Sequence, residues 1–102
     1  PNDFHRESIQ DAHDDELKHL YAFTRLYCYL TGQMPQYVIT PVTYSSYKEG
    51  LQRALRDELD ARGFYRDIQL SVMDLLIRDT FYYAMVDELE HAIMFSTLYN
   101  SI

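Results

Sequence analysis

The chain has 102 residues, enough for one compact domain and little more. At 47% apolar and 25% charged it is too apolar for a disordered tail, and three Gly with three Pro are too few for a turn-rich β-sandwich. A net charge of −7 with scattered Lys and Arg repels nucleic-acid phosphate, and a single cysteine excludes an internal disulfide or a four-thiolate centre built from this chain alone, which fits a reducing, cytoplasmic setting.

The opening residues Pro1 to Glu7 have no signal-peptide core. Pro1 either follows a removed initiator Met or marks a cut in a longer chain. From Ile9 the apolar residues recur at steps of three and four, as on a helix with one buried stripe. That spacing predicts a helix over about 3–31, capped by Asn2 or Asp3 and stopped at Thr31-Gly32. His5 and His13 lack the acidic spacing of a metal motif, and Cys28 reads as a small buried residue.

Residues 33–45 contain Pro35 and Pro41 among Val38, Ile39, Thr40, Val42 and Thr43, with no helical period. At ~3.3 Å per residue such a strap reaches roughly 43 Å, and the preceding helix is about 42 Å long at ~1.5 Å per residue. The strap can therefore start the next helix at the opposite end of a bundle.

A second helix over about 46–70 opens with the capping-box spacing Ser46-Tyr47-Lys48-Glu49. Its stripe is Leu51, Leu55, Glu58, Tyr65 and Ile68. Glu58 either points inward with that stripe or pairs with Arg62 four residues on, an exposed pair worth ~0.3–0.5 kcal/mol. Gly63 in its interior suggests a bend or the close approach of a neighbouring backbone. Arg53, Arg56, Asp57 and Asp60 form a solvated charged face. Asp74 caps a third helix over about 75–100, whose apolar run Phe81 to Val86 falls far short of the ~18 residues of a membrane span.

The first and third helices repeat one string. Asp15-Glu16-Leu17-Lys18-His19 with Phe23, Leu26 and Tyr27 matches Asp87-Glu88-Leu89-Glu90-His91 with Phe95, Leu98 and Tyr99, and Ala12 matches Ala84. Only Lys18 differs, which points to a structural pseudo-repeat. Both Glu-x-x-His pairs fall inside the apolar stripe, so each sends a carboxylate and an imidazole into the bundle. Neither Glu16 nor Glu88 has a basic residue four positions away, and buried carboxylates need a neutralising partner. A divalent metal pair supplies one, and carboxylate with imidazole suits iron or manganese. Of the ten tyrosines, Tyr21, Tyr27, Tyr29, Tyr82, Tyr83 and Tyr99 read as core and interface packing. Tyr65 either packs or approaches the metal as a radical carrier.

Glu-x-x-His on two helices, a further Glu on another and a long crossover resemble the ferritin-like di-metal carboxylate bundles, in particular the small rubrerythrin-related proteins of bacteria. The stretches Asp14 to His19, Leu30 to Gln33, Phe64 to Asp67 and Asp87 to Ala92 carry the likeness. The resemblance implies an all-α, ferritin-like domain over 1–102 with three of four helices present and the crossover between the first two. It implies two iron ions, with Glu16 and Glu88 bridging them, His19 and His91 each binding one, and Glu58 as a terminal ligand. Asp15 would orient His91, and Asp87 would orient His19. The implied chemistry is reaction with dioxygen or peroxide, as a ferroxidase or rubrerythrin-like peroxidase fed by a separate electron donor or by ferrous iron. A dimanganese catalase-like protein and a structural or interaction bundle with an empty site are the rival readings. The repeat also places a fourth helix upstream of residue 1, to be supplied by a longer chain or by a second copy in a homo-oligomer.

Overall fold

The computed structural model describes residues 2–38 and 40–102; Pro1, and Ile39 of the strap, lie outside the described residues. Those residues form three helices and no strand: α1 (Asp3–Thr31), α2 (Tyr47–Ser71) and α3 (Leu75–Asn100). None is long and apolar enough to cross a membrane.

Each helix starts at a side-chain cap that satisfies an orphan backbone donor, an interaction worth typically ~1 kcal/mol. Asn2 accepts from the His5 backbone N–H at 3.0 Å, Ser46 from Glu49 at 3.1 Å and Asp74 from Ile77 at 3.0 Å. The Glu49 carboxylate reaches past Ser46 and accepts instead from the backbone N–H of Ser45 at 3.2 Å, so the reciprocal half of the capping box is displaced by one residue. At the far end of α1, Gly32 takes φ +71° and donates to the Cys28 carbonyl at 2.8 Å. That left-handed conformation strains any residue with a Cβ.

α3 lies in the middle, packed closely along α2 and at fewer positions against α1. The contacts fix the directions. At one end Ala12, Leu51, Phe95 and Leu98 form the buried core. At the other, Phe23, Tyr65 and Phe81 stack with ring centroids 4.9–5.7 Å apart. α1 and α2 are therefore parallel to each other and antiparallel to α3, and the segment between them returns the chain along the bundle. It delivers Tyr47 beside His5, whose Nδ1 lies 2.8 Å from the Tyr47 hydroxyl. Burial of a side chain such as Leu98 contributes roughly 1.5–3 kcal/mol, which makes this end the firm one.

Being central, α3 buries a wide face made of Ala84, Glu88, His91, Ala92, Phe95 and Leu98. Leu30, near the end of α1, and Ile102, beyond α3, are exposed. Tyr21, Tyr27, Tyr29, Tyr82 and Tyr83 are likewise exposed rather than core residues, and Cys28 is only half-buried. At Gly63 the expectation of a close neighbour fails, since a Cβ there would meet nothing within 4 Å.

Candidate metal centre

The pseudo-repeat becomes geometry midway along the bundle, between the apolar core and the aromatic trio. On α1 and α3 the i, i+3 spacing places Glu16 with His19 and Glu88 with His91 on the faces turned towards each other, and the two imidazole centroids lie 6.4 Å apart. α2 adds Glu58, whose side chain is 12% exposed. It makes no ion pair with Arg62 within 4 Å among the described residues; it faces His91 instead.

Each imidazole is held from behind by the aspartate of the opposite motif. His19 Nε2 lies 2.7 Å from Asp87 Oδ2, and His91 Nε2 lies 2.8 Å from Asp15 Oδ2. With Nε2 donating outwards, Nδ1 of each ring faces the interior. His91 Nδ1 has Glu16 Oε1 at 3.3 Å and Glu58 Oε2 at 3.4 Å. His19 Nδ1 has Glu88 Oε1 at 2.9 Å and Glu16 Oε2 at 3.7 Å. Glu16 thus offers one oxygen to each imidazole. Glu88 is only 2% exposed, while the Glu16 side chain is 44% exposed although its Oε1 is buried.

Five of these inward atoms, Glu16 Oε1, His19 Nδ1, Glu58 Oε2, Glu88 Oε1 and His91 Nδ1, are buried without a hydrogen-bond partner. Leaving so many polar atoms orphaned is costly, and a cation satisfies all of them. One ligand atom each from Glu16, Glu58, Glu88 and His91 lie within 4.8 Å of one another, a set able to hold a metal ion. The residues present therefore fit a metal.

The electrostatics agree. Burial would raise the Glu16 carboxyl, but His19 and His91 overcome it and hold it down to about 2. Burial would lower His91, yet Glu16, Glu58 and Asp15 push it up to about 10. His19 is raised in the same way, against burial, by Glu16 and Asp87. Burial leads in Glu58 and raises it, with the Glu16 charge adding to the rise and His91 opposing it. Tyr65 is also raised, first by burial and then by Glu16 and Glu58. Even with both imidazoles protonated, the carboxylates Asp15, Glu16, Glu58, Asp87 and Glu88 outnumber them.

No family model and no solved structure matches the chain. It is similar to a Bacillus subtilis (strain 168) protein, the uncharacterized protein YhjR, at 30% identity over 90 residues covering 88% of this chain. The chain spans 62% of that relative's length.

His5 was not expected here. It is buried at the firm end, with Nδ1 on the Tyr47 hydroxyl and Nε2 at 2.9 Å from Ser101 Oγ, so it ties the ends of all three helices together. It lies four residues before Ile9 on the α1 stripe, which is the signal that marks it as a core histidine. His13 is exposed beside Asp14 at 3.6 Å.

Proposed function

We propose that the chain is a ferritin-like di-metal protein that holds two iron ions and reacts with dioxygen or peroxide, as a ferroxidase or rubrerythrin-like peroxidase. The observation that carries this reading is the Glu16 carboxylate, set with one oxygen towards each of two imidazoles. In this reading Glu16, Glu58 and Glu88 would hold the ions together with His19 and His91, the imidazoles through Nδ1. An iron pair, when bound, supplies redox changes and open positions for an oxidant. The chain's own residues do the rest. Asp15 and Asp87 keep the imidazoles turned inward, and Phe23, Tyr65 and Phe81 exclude water from one side. A cavity of about 380 Å³ lined by Lys18, His19, Asp79, Tyr83 and Asp87 gives small molecules a way to the His19 side. Electrons come from a separate donor or from ferrous iron.

α1 and α2 flank α3 and touch each other through His5 with Tyr47 and Phe23 with Tyr65, and beside the latter pair runs an apolar groove of about 460 Å³ lined by Phe23, Leu26 and Tyr27 of α1, Phe64 and Tyr65 of α2, and Phe81 of α3. A further helix, from an upstream segment or a second copy, fills it in this reading.

The test is metal content after aerobic purification, with ferrous iron then added; the reading expects up to two equivalents of metal per chain, iron or manganese being told apart by elemental analysis. A rival, a bundle kept for its shape alone, is favoured by the pairing of His19 and His91 with carboxylates, which partly neutralises the cluster without an ion. It predicts less than about a tenth of an equivalent, with no gain on adding ferrous iron.

A further inference from the structure

α3 is apolar on two sides. The first is its inward face, which carries Ala84, Phe95 and Leu98 around the buried Glu88 and His91. The second begins at Leu75 and recurs after seven residues at Tyr82 and after seven more at Leu89, with Val86 and Ile93 interleaved at steps of four and three. At 3.6 residues per turn these five side chains make one stripe on the side turned away from Glu88. Among the described residues no helix covers it: Leu75 is 71% exposed, Ile93 63%, and Tyr82 and Leu89 are exposed as well.

The pseudo-repeat supplies an internal comparison. α1 shares the inward alanine, glutamate, histidine, phenylalanine and leucine of α3, but where α3 has Leu75, Tyr82 and Val86 on its outer side, α1 has Asp3, Gln10 and Asp14, all exposed. An outer helix face left to water is polar, as on α1; an apolar one marks an interaction surface. This surface is separate from the groove beside Phe23 and Tyr65, which α3 borders through Phe81 on its inward side.

We propose that the outer side of α3 is an interface between two copies of this chain, with the two α3 helices packed antiparallel about a two-fold axis that passes between Val86 and Leu89. In that register the stripe is complementary to itself. Val86 meets Leu89 of the second copy, Tyr82 meets Ile93, and each contact occurs twice. Beyond these residues the seam turns polar, with Asp79 next at one end and Ser96 at the other. Antiparallel pairing sets Asp79 against Ser96. Parallel pairing would set Asp79 against its own copy, a like-charge contact that costs affinity. Asp79 is the one charged residue among the seam positions, so charge selects the direction. Tyr82 is already held by an edge contact with Tyr83, the ring centroids 5.7 Å apart, which reduces the ordering cost of pairing. Five apolar side chains per copy give a contact on the order of 1,000 Å² over both copies, the least that a specific pairing needs. The association is therefore reversible, with a dissociation constant on the order of 1–100 µM. It stands whether or not the centre holds metal.

The experiment is sedimentation equilibrium of the 102-residue chain from micromolar to millimolar concentration, where a monomer–dimer equilibrium is expected. Leu89→Asp puts a charge at the centre of the seam and should raise the dissociation constant by on the order of tenfold or more. Phe64→Ser, on the groove side of α2, should leave it unchanged. Circular dichroism reports whether the helices persist, and Ile93→Asp, at a more exposed position, carries the test if Leu89→Asp does not fold. Oxidation in a Cys28→Ser background reads the direction: Val86→Cys, beside the axis, should link two copies, whereas Leu75→Cys, at the far end of the antiparallel pair, should not. A chain monomeric at every concentration would assign the face to another segment or another protein and overturn the pairing. A dimer lost in Phe64→Ser and kept in Leu89→Asp would move the interface to the groove and overturn it too. Linking of Leu75→Cys as readily as Val86→Cys would overturn the antiparallel register.

Discussion

Asp15 on α1 accepts a hydrogen bond from His91 Nε2 on α3 at 2.8 Å, so the acid that precedes one Glu-x-x-His motif fixes the ring of the other. Such a contact sets the tautomer and keeps Nδ1 aimed at the interior. Replacing Asp15 with alanine frees the ring and is expected to lower ferrous-ion affinity by about 10–100-fold. The neighbouring Asp14 accepts from Gln10 and lies beside His13 at the surface, so Asp14→Ala should leave the same titration unchanged.

The pH dependence of the metal-free protein follows from the same cluster. His91 is raised from 6.5 to about 10, so its stabilising effect is complete below pH 6.5 and is lost as pH climbs towards 10. Glu58 is raised by burial, which favours its neutral form; that contribution is complete below 4.5 and likewise lost as pH rises. Glu16 is lowered from 4.5 to about 2, so its contribution holds above 4.5 and disappears as pH falls towards 2. Thermal melts without metal should therefore weaken on going from neutral to alkaline pH. Metal must displace the imidazole protons, so the gain in melting temperature on adding ferrous ion should be larger at about pH 8 than at about pH 6. A gain that shrinks with rising pH would contradict the assignment of His19 and His91 as ligands.

Gly63 sits inside α2 at φ values any residue adopts, with open space where its Cβ would be. Glycine costs ~1 kcal/mol against alanine in a helix interior. Gly63→Ala should thus raise the melting temperature by about 4–8 °C for a domain of this size. A lower melting temperature would show that a neighbour occupies that space in solution.

The helices were legible because apolar spacing, caps and breakers agree. Steps of four and three run through Ala12, Glu16, His19 and Phe23, and Asn2, Ser46 and Asp74 stand where caps belong. The convergence of Glu16, His19, Glu88 and His91 was legible for a further reason: the same phase recurs in two helices. Glu58 was ambiguous, because helical spacing alone does not say whether it turns towards the stripe or towards Arg62; packing against α3 decides it. The partners of His5 were not legible, because a buried histidine satisfied by Tyr47 and Ser101 depends on residues far away in sequence; at Gly63 the close neighbour failed, because a glycine gives no sign of what lies beside it. The exposed tyrosines show the same limit: a seam residue is buried only where a neighbouring helix is present to cover it.

His5 should matter for stability and not for metal. Both its ring nitrogens are engaged, and replacing it takes away the partner of the half-buried Tyr47 hydroxyl, whereas Ser101 keeps its bond to the Leu98 carbonyl. His5→Ala is expected to cost about 1–3 kcal/mol for the unsatisfied Tyr47 hydroxyl, read by chemical denaturation. Ferrous-ion stoichiometry of the folded variant should be unchanged.

Glu88 and Glu90 stand two residues apart on α3 and face opposite ways. Glu88 is 2% exposed with Oε1 buried beside His19 Nδ1, whereas Glu90 lies at the surface. A one-residue error in helix phase could not reproduce that contrast, so the pair tests whether the interior face of α3 is the binding face. Glu88→Ala removes an oxygen common to both halves of the centre; ferrous-ion binding should be lost, and with it the rise in melting temperature that the ion produces in the unmodified chain. Glu90→Ala should bind as before, and its stability should change by no more than about 0.5 kcal/mol, as at other surface positions. Circular dichroism and denaturation of both variants separate lost binding from lost structure. If Glu88→Ala still bound two equivalents, the ion would have to lie elsewhere, and the orphaned atoms of Glu16, His19, Glu58 and His91 would need another partner.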